Sequence, residues 1–330
     1  RPFVPDASVG RLLEAIAILR RESPVPVIGF AGAQFTLAAY LVEGRSPRGL
    51  ERTTSLTYAE LAAQVAAVRA GLVRLGVRRG DRVVAYMPNI PETVVALLAS
   101  ASLGATWASC SPDFGTRAVI DRFAQLGPVV LLAIDGYRYG GKDFVRSGEV
   151  AEIERALPSL RATVALPYLG DAPPAGRMSW DDLGSETGPL AFEQVPFAHP
   201  LWVLYTSGTT GLPKGLVHGH GGILLEHLKS LHLHNDLGAD DRFFWFTTTG
   251  WMMWNYLLGI LPLGGTALLF DGDPGHPDLS TLWRFAADTK MTYFGTSAPF
   301  IHACMKAAVT PGRSLDLASL RAVGSTGAPL

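Results

Sequence analysis

The chain predicts an α/β fold with largely parallel sheets, on three observations. From residue 56 onward, strand-like and helix-like segments alternate. The apolar run Val129 to Ile134 has strand length and no polar break, as in a strand covered on both faces. The stretches between the runs carry apolar residues at helical spacing, behind capping residues.

Taken in order, Leu12 to Arg21 reads as an amphipathic helix and Val25 to Phe30 as a buried strand. A glycine turn, Ala31-Gly32-Ala33, leads to a second helix from Phe35 to Val42. This helix–strand–helix unit fits a piece of an α/β barrel. Arg45-Ser46-Pro47-Arg48-Gly49 follows and reads as a linker. Thr57-Tyr58-Ala59-Glu60 has the residues of a capping box, opening a helix to Leu75 with Leu61, Val65, Val68 and Leu72 on one face. Asp81 to Tyr86 is a strand, Pro91 to Leu103 a helix and Trp107 the start of another strand. Asp171 to Gly176 marks an exposed loop. Beyond it lie a helix near Gly221, a strand Gly265 to Phe270, a helix Leu279 to Lys290, a strand Thr292 to Phe294 and a helix Pro299 to Ala308.

At 330 residues the chain has room for two domains and ample core. A hydrophobic content of 48% and a net charge of −1 describe a soluble globular enzyme. Without a basic stripe, nucleic acid is not expected as a partner. The longest apolar run, Val94 to Cys110, contains Gly, Ser and Thr, so no membrane span is expected. No signal peptide is read at Arg1-Pro2, and Cys110 and Cys304 read as buried thiols of a cytoplasmic protein.

The richest chemistry lies in Leu204-Tyr205-Thr206-Ser207-Gly208-Thr209-Thr210-Gly211-Leu212-Pro213-Lys214-Gly215, behind the apolar run Leu201 to Leu204. Glycines admit backbone N–H groups to an anion, hydroxyls donate to phosphoryl oxygens, and a lysine supplies a compact charge. The plainer reading is a polar hairpin turn, which needs only one or two such residues. The spacing is not that of a P-loop, since Gly208 and Gly211 are three apart and Lys214 follows Pro213. Gly136-Tyr137-Arg138-Tyr139-Gly140-Gly141-Lys142 does fit G-x-x-x-x-G-K, but Asp143 stands where a Mg²⁺-binding hydroxyl belongs. Of the histidines, 218, 220, 227, 232 and 234 lack familiar zinc spacing. His218 and His220 are expected to lead into a helix, with the others on its partly exposed face. No metal site is expected from these residues.

The string Tyr205 to Gly215 resembles the phosphate loop of the adenylate-forming enzymes, which include acyl-CoA synthetases, luciferases and nonribosomal adenylation domains. Thr247-Thr248-Thr249-Gly250-Trp251-Met252-Met253-Trp254-Asn255, with Asn89-Ile90-Pro91-Glu92 and Ser111-Pro112-Asp113-Phe114-Gly115, narrows the resemblance to the acetoacetate–CoA ligase branch over about residues 50–330. The resemblance implies the large domain of an adenylate-forming enzyme, layered α/β with mixed, mostly parallel sheets. It implies that ATP, Mg²⁺ and coenzyme A are used, that acetoacetate is activated as an acyl-adenylate, and that coenzyme A thiol then displaces AMP.

By position, Thr206, Ser207, Gly208, Thr209, Thr210, Gly211 and Lys214 fall on the loop that holds the triphosphate, with Thr206 and Lys214 in the catalytic roles. Gly327, Ala328 and Pro329 fall on the segment against adenine, and Arg138 on a contact to a coenzyme A phosphate. Trp251, Met252 and Met253 fall on the acyl pocket, where Asn255 would reach a keto oxygen. Trp251 to Trp254 read equally as core, and the Arg138 segment equally as a surface loop.

The family's Tyr-Gly-x-Thr-Glu-like motif, its ribose-binding aspartate and its mobile C-terminal domain do not occur in these 330 residues. The expectation is a truncated ligase of absent or impaired activity. The rival is a catalytically dead fragment that holds nucleotide or a partner protein. Residues 1–44 instead resemble uroporphyrinogen decarboxylase through VPVIGFAGAQFTLAAYLVEG, with Gln34 where a proline is usual and Tyr40 at a substrate-facing tyrosine. A fusion near Arg45–Arg52 is therefore expected, dividing the chain into 1–49 and 50–330.

Overall fold

The computed structural model describes residues 42–45, 53–170, 176–206 and 211–329. The first helix–strand–helix unit, with Gln34 and Tyr40, lies outside the described residues, as do the linker 46–52 and positions 171–175.

The described chain opens with strands β1 (Val42–Arg45) and β2 (Thr53–Leu56), then helix α1 (Tyr58–Arg74), β3 (Arg82–Tyr86), α2 (Pro91–Ser102) and β4 (Thr106–Cys110). Next come α3 (Thr116–Phe123), β5 (Val130–Ile134), the hairpin β6 (Gly136–Tyr139) and β7 (Lys142–Val145), α4 (Ser147–Ala156), β8 (Ala162–Leu166), β9 (Met178–Ser179) and α5 (Trp180–Leu183). A second hairpin, β10 (Pro200–Thr206) and β11 (Lys214–Gly219), precedes α6 (His220–His227) and β12 (Arg242–Trp245). The remainder is α7 (Met252–Leu258), β13 (Thr266–Phe270), α8 (Thr281–Asp288), β14 (Tyr293–Ser297), α9 (Ala298–Lys306) and β15 (Ala322–Thr326).

Among the described residues the strands form two large sheets, ordered β15-β14-β12-β13-β1-β2 and β11-β10-β4-β3-β5-β8-β9, beside the small β6–β7 sheet. Each large sheet is parallel except for one antiparallel edge pair, β1–β2 in the first and β10–β11 in the second. The mixed, mostly parallel α/β prediction holds. One strand sits on unexpected company: β1, within the stretch read as barrel-like, pairs in register with β13, Val42 opposite Ala267 and Arg45 opposite Phe270.

Local chemistry explains the elements. The Thr57 side chain accepts from Glu60 N at 3.1 Å, and Thr57 N donates to Glu60 Oε2 at 2.7 Å, completing the capping box of α1. Leu61, Val65, Val68 and Leu72 of that helix are buried as its periodicity predicts. Each such side chain contributes about 1.5–3 kcal/mol on leaving water. In β5 all five residues are buried, matching its uninterrupted apolar run.

The histidine expectation needs correction. α6 does begin beside the predicted position, and it continues as a π-helical stretch, Leu228–His234. His232 and His234 are exposed, but His227 is buried rather than on an exposed face. Desolvation pushes His227 and His220 down to about 4, with His218 and His199 respectively adding repulsion. His218 Nδ1 accepts from Trp202 Nε1 at 3.0 Å, and the His227 ring lies 5.9 Å from that of Trp202. His220 and His227 are thus neutral packing residues, and His218 packs beside them as the acceptor of the Trp202 indole.

Candidate functional site

In both large sheets the chain order reverses in the middle. β3 is flanked by β4 and β5, and β12 by β13 and β14. Connections therefore leave toward opposite sides there, opening a crevice at the carboxyl ends of the strands. A cavity of about 410 Å³ fills that place. It is lined by Asn89 after β3, by Ser111, Pro112 and Asp113 after β4, and by Tyr137, Arg138 and Tyr139 of β6. Phe246, Thr247 and Thr248 after β12, and Phe270, Asp271 and Gly272 at the end of β13, close the other side.

Hydrogen bonds across this crevice hold the two sheets together. Trp254 Nε1 donates to Asn89 Oδ1 at 2.9 Å and Thr249 Oγ1 to the Met87 carbonyl at 2.6 Å. Ser109 Oγ donates to the Thr249 carbonyl at 2.8 Å, and the Tyr168 hydroxyl to Asp271 Oδ2 at 2.8 Å. Sequence reading passed over Tyr168 and Asp271. The signal available was position, since residues just past parallel strands face ligands in such folds.

The phosphate-binding candidate is the connection of the β10–β11 hairpin. Thr206 and Lys214 are register partners at its base, and both are exposed. The hairpin of the plainer reading is thus present in the pairing of β10 with β11, and the sequence of its connection carries more donors than a turn requires. Gly211 has φ +115°, a region closed to most side chains. Ser207, Gly208, Thr209 and Thr210 lie outside the described residues.

The second glycine–lysine segment behaves differently. Gly140 and Gly141, with φ +56° and +76°, are the two central residues of a tight turn joining β6 to β7, with Tyr139 opposite Lys142. Positive φ at both positions is what a two-residue hairpin turn demands. Arg138 and Asp143 face each other across this hairpin, Nε and Nη2 each bonded to a carboxylate oxygen. Its glycines serve the turn, and no helix N-terminus follows to cradle a phosphate as in a P-loop. Arg138 lines the large cavity, yet its charge is already neutralised by Asp143.

The acyl-pocket candidates separate. Trp251 and Met252, at the start of α7, are 55% and 54% exposed. Met253, Trp254 and Asn255 are buried. Asn255 lines a different, small cavity of about 50 Å³ with His227 and Trp202, and its Oδ1 finds no partner among the described residues. The structure therefore brings Trp251 and Met252 to the surface and turns Met253 and Asn255 inward.

The adenine candidates Gly327, Ala328 and Pro329 follow β15 directly and are exposed. Behind them the sheet is thinned for a flat partner. Gly295 and Gly324 are register neighbours, and a Cβ at Gly295 would lie 2.2 Å from the Trp245 ring. Only glycine lets that indole lie against the two strands.

Comparison with known proteins agrees with this geometry. The family model described as AMP-binding enzyme matches residues 38–330. An acetoacetyl-coenzyme A synthetase of Rhizobium meliloti (strain 1021) is 47% identical over 282 residues, covering 83% of this chain and 43% of that protein. One from Mus musculus is 38% identical over 293 residues, with 86% and 44% covered. The solved acetoacetyl-CoA synthetase from Streptomyces lividans superposes with a TM-score of 0.87 at 50% identity, covering 91% of this chain and 47% of that one. The chain thus spans a little under half the length of these relatives. A second family model, uroporphyrinogen decarboxylase (URO-D), matches residues 2–69. The two matches overlap over residues 38–69, and β1 belongs to the six-stranded sheet, so the expected fusion point near 45–52 is not supported.

Proposed function

Since the chain belongs to the AMP-binding enzyme family, we propose that its chemistry is ATP-dependent acyl activation, with acetoacetate as the acid and coenzyme A as the acceptor. The observation that carries this reading is the hairpin with Thr206 and Lys214 paired at its base, beside a crevice at the carboxyl ends of two parallel sheets.

In the adenylation step a carboxylate oxygen of acetoacetate attacks the α-phosphorus of ATP. The bond to the bridging oxygen breaks, and pyrophosphate leaves with that electron pair. The hairpin meets the electrostatic demand of this step. Thr206, Ser207, Thr209 and Thr210 donate from hydroxyls, Gly208 and Gly211 expose backbone N–H groups, and Lys214 neutralises departing charge. Gly327, Ala328 and Pro329 hold the adenine plane. Trp251 and Met252 bound the short acyl chain, whereas Met253 and Asn255 of the same turn face the interior. In the second step the coenzyme A sulfur attacks the acyl carbon and AMP leaves. Arg138 steers a coenzyme A phosphate once Asp143 releases it.

The hairpin's hydroxyls, amides and lysine suit phosphoryl oxygens rather than a metal ion, and no cluster of three His, Cys, Asp or Glu occurs among the described residues. Mg²⁺ is proposed to enter bound to ATP, as the Mg·ATP complex. Among the described residues no helix is long and apolar enough to cross a membrane. The cytoplasmic assignment rests on Cys110 and Cys304, both free and buried.

The test is titration of the 330-residue chain with Mg·ATP by calorimetry, in wild type and Lys214→Ala. A charged hydrogen bond of this type is worth about 10- to 100-fold in affinity. Equal affinity in the two proteins overturns the assignment of the hairpin. Acetoacetate-dependent ATP–pyrophosphate exchange then separates a working ligase from a fragment that only binds nucleotide.

A further inference from the structure

One residue pair connects the base of the proposed phosphate hairpin with the turn that starts α7. The Arg122 guanidinium, near the end of α3, lies 5.1 Å from the Phe114 ring centroid and 5.8 Å from that of Tyr205. Its Nη1 donates to the Ala118 carbonyl at 2.7 Å, which fixes the plane of the fork. Tyr205 in turn donates its hydroxyl to the Arg122 carbonyl at 2.6 Å, so it is tied to Arg122 twice. Tyr205 immediately precedes Thr206. One turn further along, Gln125 Nε2 donates to the Pro213 carbonyl, just before Lys214, at 3.1 Å.

Phe114 also packs, through the tip of its ring, against Gly250. A Cβ there would lie 2.7 Å from Phe114 Cζ, with two more ring carbons within 3.3 Å. The ring thus touches both a cation and bare backbone, and Gly250 directly precedes Trp251 and Met252. A cation over an aromatic face is attractive, and close packing transmits small displacements.

We propose that Arg122 and Phe114 are positioning residues, which hold the base of the phosphate hairpin and the Gly250–Met253 turn in one fixed spatial relation. The functional meaning of that relation rests on the proposed ligase reading: an acyl carboxylate must meet the α-phosphorus in line, so the acyl turn and the phosphate hairpin have to be set against each other. Phe114 is the spacer between them and Arg122 the clamp.

The experiment is peptide-resolved hydrogen exchange on the 330-residue chain, with Mg·ATP titration alongside. Gly250→Ala pushes on the Phe114 ring from the far end. The expected result is exchange about tenfold faster at Tyr205, Thr206 and Lys214, beyond the change around residue 250 itself. Phe114→Leu combined with Gly250→Ala makes room for the new methyl group and restores the hairpin rate. Arg122→Met loosens the hairpin, and Arg122→Lys, which keeps a cation over the rings, retains most of the protection. Faster exchange confined to residues 247–254 in Gly250→Ala, or no restoration in the double variant, overturns the proposal. Absence of Mg·ATP binding in wild type overturns the nucleotide reading instead, and the exchange comparison still decides whether the ring couples the two segments.

Discussion

The Tyr168 hydroxyl donates to Asp271 Oδ2 at 2.8 Å, joining the segment after β8 of one sheet to the end of β13 of the other. Desolvation pushes the Asp271 carboxyl up to about 7, the Tyr168 bond opposes this, and Asp113 adds to it. The native chain thus keeps a proton that the unfolded chain releases near 3.8, and the associated stability is lost as pH rises toward 7. His220 and His227 act in the opposite sense. With folded values about 4, their stability is present above 6.5 and lost as pH falls to 4. Two histidines outweigh one aspartate, so the melting temperature is expected to fall between pH 6.5 and 4. In Asp271→Asn the fall should be steeper, because the opposing group is gone. A shallower fall in that variant, measured by thermal melts across pH, contradicts the assignment.

Gly295→Ala should destabilise the chain strongly. Its methyl group would meet the Trp245 ring, whose Cδ2 and Cε3 both lie 2.2 Å from the Cβ position, and the indole is itself buried. Overpacking of this kind costs about 1–3 kcal/mol or more. A chemical denaturation curve with an unchanged midpoint would show that the β14–β15 edge yields instead.

Arg138 and Asp143 make a half-exposed pair, so breaking it should change stability by less than about 1 kcal/mol. Its effect on ligand should be larger. If Arg138 serves a coenzyme A phosphate, Asp143→Asn frees the guanidinium and tightens coenzyme A binding about fivefold or more. Binding of 3′-dephospho-coenzyme A is the control that tells which phosphate is engaged. No change with either ligand removes Arg138 from the site.

Thr57→Ala should cost about 1 kcal/mol, the usual worth of a helix N-cap. Because the Thr57 hydroxyl also donates to Glu60 Oε2 at 2.8 Å, the two losses should couple, and Glu60→Ala should cost less in the Thr57→Ala background than alone. Additive losses in a denaturant double-mutant cycle would show that the two act separately.

The alternation of elements, the α1 capping box and the buried run of β5 could all be read from the sequence, because periodicity and capping are local. The chemistry proposed for the β10–β11 hairpin was drawn from the sequence for a related reason: its hydroxyls, glycines and lysine are packed into one short stretch. A second glycine–lysine string, Gly136 to Lys142, came nearer on paper to the P-loop spacing. Only the backbone showed that Gly140 and Gly141 form a two-residue turn while Arg138 is spent on Asp143.

What sequence alone determined about this protein is therefore the fold class and the family resemblance, and it supplied the string proposed to bind phosphate, all carried by neighbours along the chain. Tertiary structure decided that β1 joins β13, that Asn255 turns away from Met252, and that Phe114 touches both Arg122 and Gly250. It also set Tyr168 against Asp271, 103 residues apart. Such pairings depend on which strand ends converge when two sheets pack, and side-chain pattern within a segment carries no record of that.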